Sequence, residues 1–392
     1  MPLLSKLAAR ILKNPGSWVN FLVVFVLAAA CAWIFVDVTS ILVTHRDNAG
    51  AALAAVLSSN SKYREKPLLL ACAHIESTFP ATPYVETPAV EVRARNRCIS
   101  YLLLRPNNTT GGRYFEQLVA SLRQLRTHYL APLNVAPPIV LFYNDAAPLS
   151  ENERERLDAS LGGATRLFYE GIDFDALEHS FEREFGFAVP DYVPCAGPLF
   201  SRVFDRSYTR MNVWRLYALF DRLAALSMRY TLMLDSDVYF DADVERAADP
   251  LSDAFLGIGS DSTGPPPLTY GYSRVTTDPL ACYQGRETAH LARCLASNAT
   301  FAQALRSSGA PLERALESGT VFGGAVQLAS VRFFTSPHYR AYAAYVGRLG
   351  GITRSRWSDQ STFWPALALF ADPASVRPLH LVYTHKRFSA AD

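Results

Sequence analysis

An excess of charge of either sign is missing from this chain. Thirty-eight Lys and Arg stand against 36 Asp and Glu, a net charge of +2. That balance gives no footing for nucleic acid as a partner or for a polybasic surface. Internal repeats are absent, and low complexity is confined to one stretch near the N-terminus, so the chain is no repeat array. Cysteine is scarce. Of six, Cys31 lies in an apolar run and Cys72, Cys98, Cys195, Cys282 and Cys294 lie beyond it. Five is odd, so at least one is free or paired elsewhere, and Cys282–Cys294 is the obvious local pair. A calcium loop is excluded too. After Asp235-Ser-Asp237, Phe240 stands where the loop's glycine belongs.

What is present begins with a long apolar run. Trp18 to Val36 has Asn20 as its sole polar residue, and Val38 to Val43 extends it. At 1.5 Å per residue this run crosses a hydrocarbon core of about 30 Å. Lys6, Arg10 and Lys13 precede it, and Asp37 and Asp47 follow. The positive-inside tendency then puts the N-terminus in the cytoplasm and the rest in the lumen. No small-x-small cleavage pattern closes the run, so the reading is an uncleaved anchor rather than a signal peptide. Asn107-Asn-Thr, Asn108-Thr-Thr and Asn298-Ala-Thr are acceptor sequons consistent with a lumenal location. The expected organisation is a tail over 1–17, an anchor over 18–43, a stem over 44–95 rich in Ala, Pro and Thr, and one large domain over 96–392.

That domain alternates strand and helix. Cys98–Leu104, Pro138–Tyr143, Arg166–Tyr169 and Tyr230–Leu234 read as strands. The apolar stripe Phe115, Leu118, Leu122, Leu125 predicts a helix over Tyr114–Tyr129, and Ser150-Glu-Asn-Glu opens another with a cap-like start. Tyr208–Met228, Tyr339–Leu349 and Ser361–Phe370 read as helices. Leu268–Tyr272, the Gly-flanked Ser318–Leu328 and Leu379–Tyr383 read as strands. Alternating units imply a mostly parallel sheet with helices on its faces, an α/β fold whose ligands collect beyond the strands' carboxyl ends.

Asp235 and Asp237 sit at such an end. In extended chain, residues i and i+2 share a side, so the two carboxylates face one small volume. Hard oxygen ligands there suit Mg²⁺ or Mn²⁺. Alone, the pair reads equally as a solvated turn. Asp359, in Arg356-Trp-Ser-Asp-Gln-Ser361, reads as an N-terminal helix carboxylate or as a carboxylate aimed into a cleft beside Trp357. His385 reads as a half-exposed histidine or as a metal ligand. Gly323-Gly324 permits close backbone approach to a ligand, and Arg105, Lys386 and Arg387 could meet phosphate.

Taken together, these residues resemble a known core. A first strand, Asp-x-Asp, a Gly-rich strand, an acidic residue before a helix and a C-terminal His follow the order of the GT-A glycosyltransferases. More narrowly, the chain resembles the fungal Golgi α-1,2-mannosyltransferase family (glycosyltransferase family 15). The stretches that carry this are Leu141-Phe-Tyr-Asn-Asp145, Ser207-Tyr-Thr-Arg-Met211, Tyr270-Gly-Tyr272, and above all Phe333-Phe-Thr-Ser through Gly350-Gly351 to Arg356-Trp-Ser-Asp359 and Ala366–Phe370. The resemblance implies a type II Golgi membrane protein. It would transfer mannose from GDP-mannose to a glycan or glycoprotein acceptor with retention, using Mn²⁺ or Mg²⁺. It implies Asp235, Asp237 and His385 as metal ligands, and Arg105, Tyr208, Asp235 and Gly324 at the nucleotide sugar. Asp359 and Gln327 fall at the reaction centre. Two departures stand out. Asp235-Ser-Asp237 is more regular than the family's acidic motif, and Gln327 replaces a glutamate regarded as a candidate nucleophile. An amide cannot act as that carboxylate. Two other readings follow: an inert, membrane-anchored glycan-binding or scaffolding protein on the same fold, and a hydrolase of nucleotide sugars.

Overall fold

The computed structural model describes residues 96–104, 111–196, 201–258, 265–277, 320–354 and 357–385. The expected tail, anchor and stem lie outside these residues, as do the three sequons, Arg105, Lys386, Arg387 and the Cys282–Cys294 pair. Among the described residues, no helix is long and apolar enough to cross a membrane.

Seven strands form one twisted sheet. They are β1 (Arg97–Leu103), β2 (Ile139–Asn144), β3 (Leu167–Ile172), β6 (Tyr230–Leu234), β8 (Tyr270–Tyr272), β11 (Val326–Ser330) and β12 (Val376–Pro378), in the order β12-β8-β11-β6-β1-β2-β3. Only β11 runs against the others; the remaining pairings are parallel. The mostly parallel sheet expected from the alternating pattern is therefore present. Its central strands are mostly apolar because both of their faces are covered. One face sets Cys98, Val140, Phe142 and Met233 against Trp214, Phe334, Tyr339 and Phe363. The other sets Ile99, Tyr101, Leu141 and Leu232 against Phe115, Leu118, Leu122 and Leu157. Each fully buried apolar side chain contributes about 1.5–3 kcal/mol, so neighbours along one strand pin its register to both faces.

The helices that matter for the site are α1 (Gly111–Leu125), α2 (Glu151–Leu161), α3 (Phe174–Phe185), α4 (Arg206–Tyr217), α5 (Leu219–Ala225), α6 (Pro337–Leu349) and α7 (Asp359–Phe370). Ser150 caps α2 in a reciprocal box with Glu153, as its sequence indicated. The stripe predicted over Tyr114–Tyr129 divides, because α1 passes at Leu125 into a π-helical turn, Arg126–Leu130. The turn buries Tyr129, whose hydroxyl donates to Asp249 at 2.8 Å. The single helix expected over Tyr208–Met228 breaks at Ala218, where φ swings to −127°. The sequence reading passed over α3 and the hairpin of β4 (Tyr192–Ala196) with β5 (Ser201–Asp205).

Two strand expectations fail in ways that shape the site. Ser318–Leu328 is not one strand. β10 (Thr320–Phe322) pairs with β9 (Val275–Thr277) in a separate ribbon, and the chain turns at Gly323-Gly324 before entering β11. A Cβ at Gly324 would collide with the Gln360 side chain, and one at Gly323 with Arg274. The close approach that the glycines permit is thus to the protein's own side chains. Nor is Leu379–Tyr383 a strand. Leu379 is the last residue tied to the sheet edge, through its N–H to the Tyr272 carbonyl at 2.8 Å. Val382 is 61% exposed. Strand β13 is Tyr383–His385, and it pairs with β7 (Val238–Phe240), outside the main sheet.

Candidate active site at the carboxyl end of the sheet

Strand β6 ends at Leu234, and the chain turns there. The Val238 N–H donates to the Asp235 carbonyl at 3.2 Å, while the Asp235 N–H donates to the Ala325 carbonyl at 2.9 Å. It is this turn, rather than pleat alternation, that brings Asp235 and Asp237 to one side. The antiparallel pairing of β7 with β13 sets His385 opposite Val238. His385 Nε2 lies 3.1 Å from Asp237 Oδ1 and 3.5 Å from Asp235 Oδ2. One ligand atom from each of the three side chains falls within 4.8 Å of the others. All three are about a fifth to a quarter exposed. Two carboxylates and one imidazole, converging and open on one side, are a donor set that fits a divalent cation with positions left for water or substrate oxygens.

The electrostatics agree. Burial, more than anything else, pushes the Asp235 carboxyl above its usual range; Asp237 adds to this, while Arg215 and His385 oppose it. Burial thus disfavours the charged carboxylate, and a bound cation would favour it.

A second group lies beneath, closed to solvent. Asp359 opens α7 and is 1% exposed. Its N–H donates to Asn212 Oδ1 at 3.1 Å. Its Oδ2 accepts from Arg215 at 2.6 Å and from Gln327 Nε2 at 3.2 Å. Among the described residues no hydrogen bond reaches its Oδ1. Gln327 is fully buried. Its amide nitrogen also donates to the Gly324 carbonyl at 2.8 Å, and its oxygen accepts from the Tyr270 hydroxyl at 2.7 Å. Burial, then the charge of Asp359, keeps Tyr270 well above the usual phenol range, so it remains a donor. Trp357, expected to wall a cleft, instead lies in the core with its indole against Gly351.

Arg215 joins the two groups, and the sequence reading passed over it. One guanidinium nitrogen donates to Asp359, and the other donates to Asp235 Oδ1 at 2.6 Å. Burial would depress this group; the charges of Asp359 and Asp235 outweigh burial and hold it firmly protonated. A signal was available. Tyr208, Asn212 and Arg215 recur at i, i+4 and i+7, a polar stripe on a helix chosen for its apolar residues. Tyr208, half-buried, reaches the site through its backbone: its carbonyl accepts from Asn212 Nδ2 at 3.0 Å.

No protein-family model matches the chain, and no curated protein matches it. Solved structures do. Core-mannan synthase A of Aspergillus fumigatus, in its Mn/GDP form, aligns with a TM-score of 0.51 at 18% identity, covering 79% of each chain. The mannosyltransferase Ktr4p of S. cerevisiae aligns with a TM-score of 0.53 at 15% identity, covering 83% of this chain and 82% of its own. The same protein in complex with GDP aligns with a TM-score of 0.50 at 15% identity, covering 82% of each chain. At such identities the likeness is one of fold. The chain shares the GT-A fold of these fungal mannosyltransferases, the fold that its Asp-x-Asp and late block resembled.

Proposed function

We propose that this protein is a metal-dependent glycosyltransferase. It moves a sugar, mannose from GDP-mannose as the first donor to test, onto a glycan or glycoprotein acceptor with retention at the anomeric carbon. It acts from the Golgi lumen, held by a single type II anchor over residues 18–43. The observation that carries the reading is the convergence of Asp235, Asp237 and His385 at the carboxyl end of a GT-A sheet. The Mn/GDP form and the GDP complex of its fold neighbours support a nucleotide-sugar donor.

Asp237 and His385 would hold a divalent cation, Mn²⁺ in this reading, with Asp235 offering Oδ2, and the cation would supply positive charge to offset that developing on a leaving diphosphate. Asp359 presents Oδ1 towards the positive charge that develops on the sugar ring. Gln327 spends both amide hydrogens on Gly324 and Asp359, so it positions Asp359 and does not meet the sugar. As an amide it also excludes a double displacement through residue 327.

The burial of Asp359 favours one second reading, an inert glycan-binding protein on the same fold. One assay separates the readings: full-length protein in detergent with GDP-mannose, Mn²⁺ and an α-mannoside acceptor. Transfer that EDTA abolishes is expected, with the product's anomeric configuration read by NMR. Free mannose without transfer identifies a hydrolase. Donor binding without turnover identifies the inert protein, and transfer undiminished in EDTA overturns the metal site.

A further inference from the structure

Arg215 sits in the last turn of α4, 6% exposed, and spends its two terminal nitrogens on carboxylates that belong to different halves of the site. A guanidinium is a rigid planar fork, so holding both carboxylates at 2.6 Å fixes one relative to the other. It also divides Asp235. Oδ1 is taken by Arg215, and Oδ2 is the oxygen that faces His385. A cation arriving at the triad therefore meets Asp235 through one oxygen, with a fixed positive charge on the other.

We infer that Arg215 couples the two halves: it is the positioning residue that orients Asp359 for the reaction and the internal cation that competes with the metal for Asp235. The kinetic part rests on the transferase reading above; the cation-binding part does not. The coupling has a definite sign. Removing Arg215 takes away a positive charge and frees Asp235 Oδ1, so the triad holds a divalent cation more tightly. Neutralising Asp359 leaves Arg215 to Asp235 alone and raises the local positive charge, so the triad holds the cation more weakly, although Asp359 does not touch it. A residue needed only for folding would weaken cation binding and turnover together.

The probe is Mn²⁺ alone, titrated into the full-length protein and followed by the EPR signal of the free ion. D359N is expected to weaken Mn²⁺ binding several-fold. Arg215→Met by itself orphans a buried carboxylate and risks the fold, so the deciding variant is the double substitution R215M/D359N, which leaves no buried ion unpaired. It should bind Mn²⁺ about tenfold more tightly than D359N. Equal or weaker binding overturns the coupling. Arg215→Lys keeps the charge but cannot bridge both carboxylates. It should lower kcat about a hundredfold with the donor KM within about twofold of wild type; an unchanged kcat overturns the positioning role. Should wild type transfer no sugar from any donor while the Mn²⁺ titrations behave as stated, the transferase reading fails and the coupling stands.

Discussion

The site has an open half and a closed half, built by different means. Asp235, Asp237 and His385 stand a fifth to a quarter exposed, on a turn and on a three-residue strand outside the main sheet. Asp359 and Gln327 are almost wholly buried, and their hydrogen bonds among the described residues are to the protein itself. The open half resembles a place where ions and substrate oxygens exchange with water. The closed half resembles a core that happens to be polar. In a buried network every partner is needed, because an unpaired polar group there costs about 1–3 kcal/mol and an unpaired charge more. In the open half water can replace a lost partner. Substitutions should therefore separate the halves: those in the open half change chiefly binding, and those in the closed half change chiefly the chemical step or the stability, with only a several-fold effect on cation binding passed through Arg215.

The sharpest way to break this contrast is Asp359→Asn. The amide keeps the shape and can still face Gln327, but the negative charge is lost from the reaction centre. A fall in kcat of about 10³-fold is expected, with the donor's affinity changed far less, as for a group that acts chiefly in the transition state. Steady-state and pre-steady-state rates on the same preparation decide it. Lost nucleotide affinity with normal turnover of the bound complex would move Asp359 into the binding half.

In the open half, Asp237→Asn should weaken Mn²⁺-dependent GDP binding by about a hundredfold, by analogy with lost ligand-shell groups. The melting temperature in the absence of metal should stay where it was, since a hydrated carboxylate adds little to the core. Calorimetric titration and thermal melts read the two quantities separately. Metal dependence that survives Asp237→Asn would remove the triad from the mechanism. His385→Ala should follow the same pattern at about tenfold, because an imidazole can be replaced by water where two carboxylates remain.

The two halves were not equally legible in the sequence. The open half was visible because its signals are local. Asp235-Ser-Asp237 follows the apolar run Tyr230–Leu234, and His385 lies near the chain's end after a β-prone stretch. Even there the route was misread. The sequence suggested alternation along a strand, and the fold supplies a turn. It also suggested a strand over Leu379–Tyr383, whereas the chain leaves the sheet after Leu379 and re-pairs with β7. Asp359 in the closed half depends on contacts 32 to 147 residues apart, which no local pattern encodes. Arg215 was hidden because Trp214 and Leu216 mark α4 as a core helix, and the polar stripe Tyr208, Asn212, Arg215 on the same helix is short. The sheet was easier. Strands buried on both faces advertise themselves as mostly apolar runs, and β1, β2 and β6 fall within a residue or so of their expected limits.

The smallest effect tests whether the closed half is as dry as its packing indicates. Cys98, on β1, is fully buried on the face that carries Trp214 and Phe363, and it is a free thiol. Burial pushes it from an ordinary value of 9.0 up to about 12, with a hydrogen bond to Thr231 opposing. In the folded protein the group therefore stays a thiol at pH values where the unfolded chain has lost the proton. The unfolded state then binds fewer protons than the folded one, so stability falls as pH rises. The thiol's contribution is intact below about pH 9 and is lost progressively from there towards about pH 12. Between pH 7.5 and 9.5 the loss amounts to about 0.8 kcal/mol for this one group. Buried tyrosines add their own alkaline loss, so the wild-type curve alone cannot isolate it; Cys98→Ala can. Denaturant unfolding of both proteins at the two pH values gives the comparison. At pH 7.5 the variant should be the less stable, by whatever packing the sulfur supplied. At pH 9.5 the gap should narrow by about 0.8 kcal/mol, because the variant has no thiol to titrate. A gap that stays constant would mean that water or a compensating charge reaches Cys98, and that this face of the sheet is less closed than the one-percent exposure of Asp359 implies.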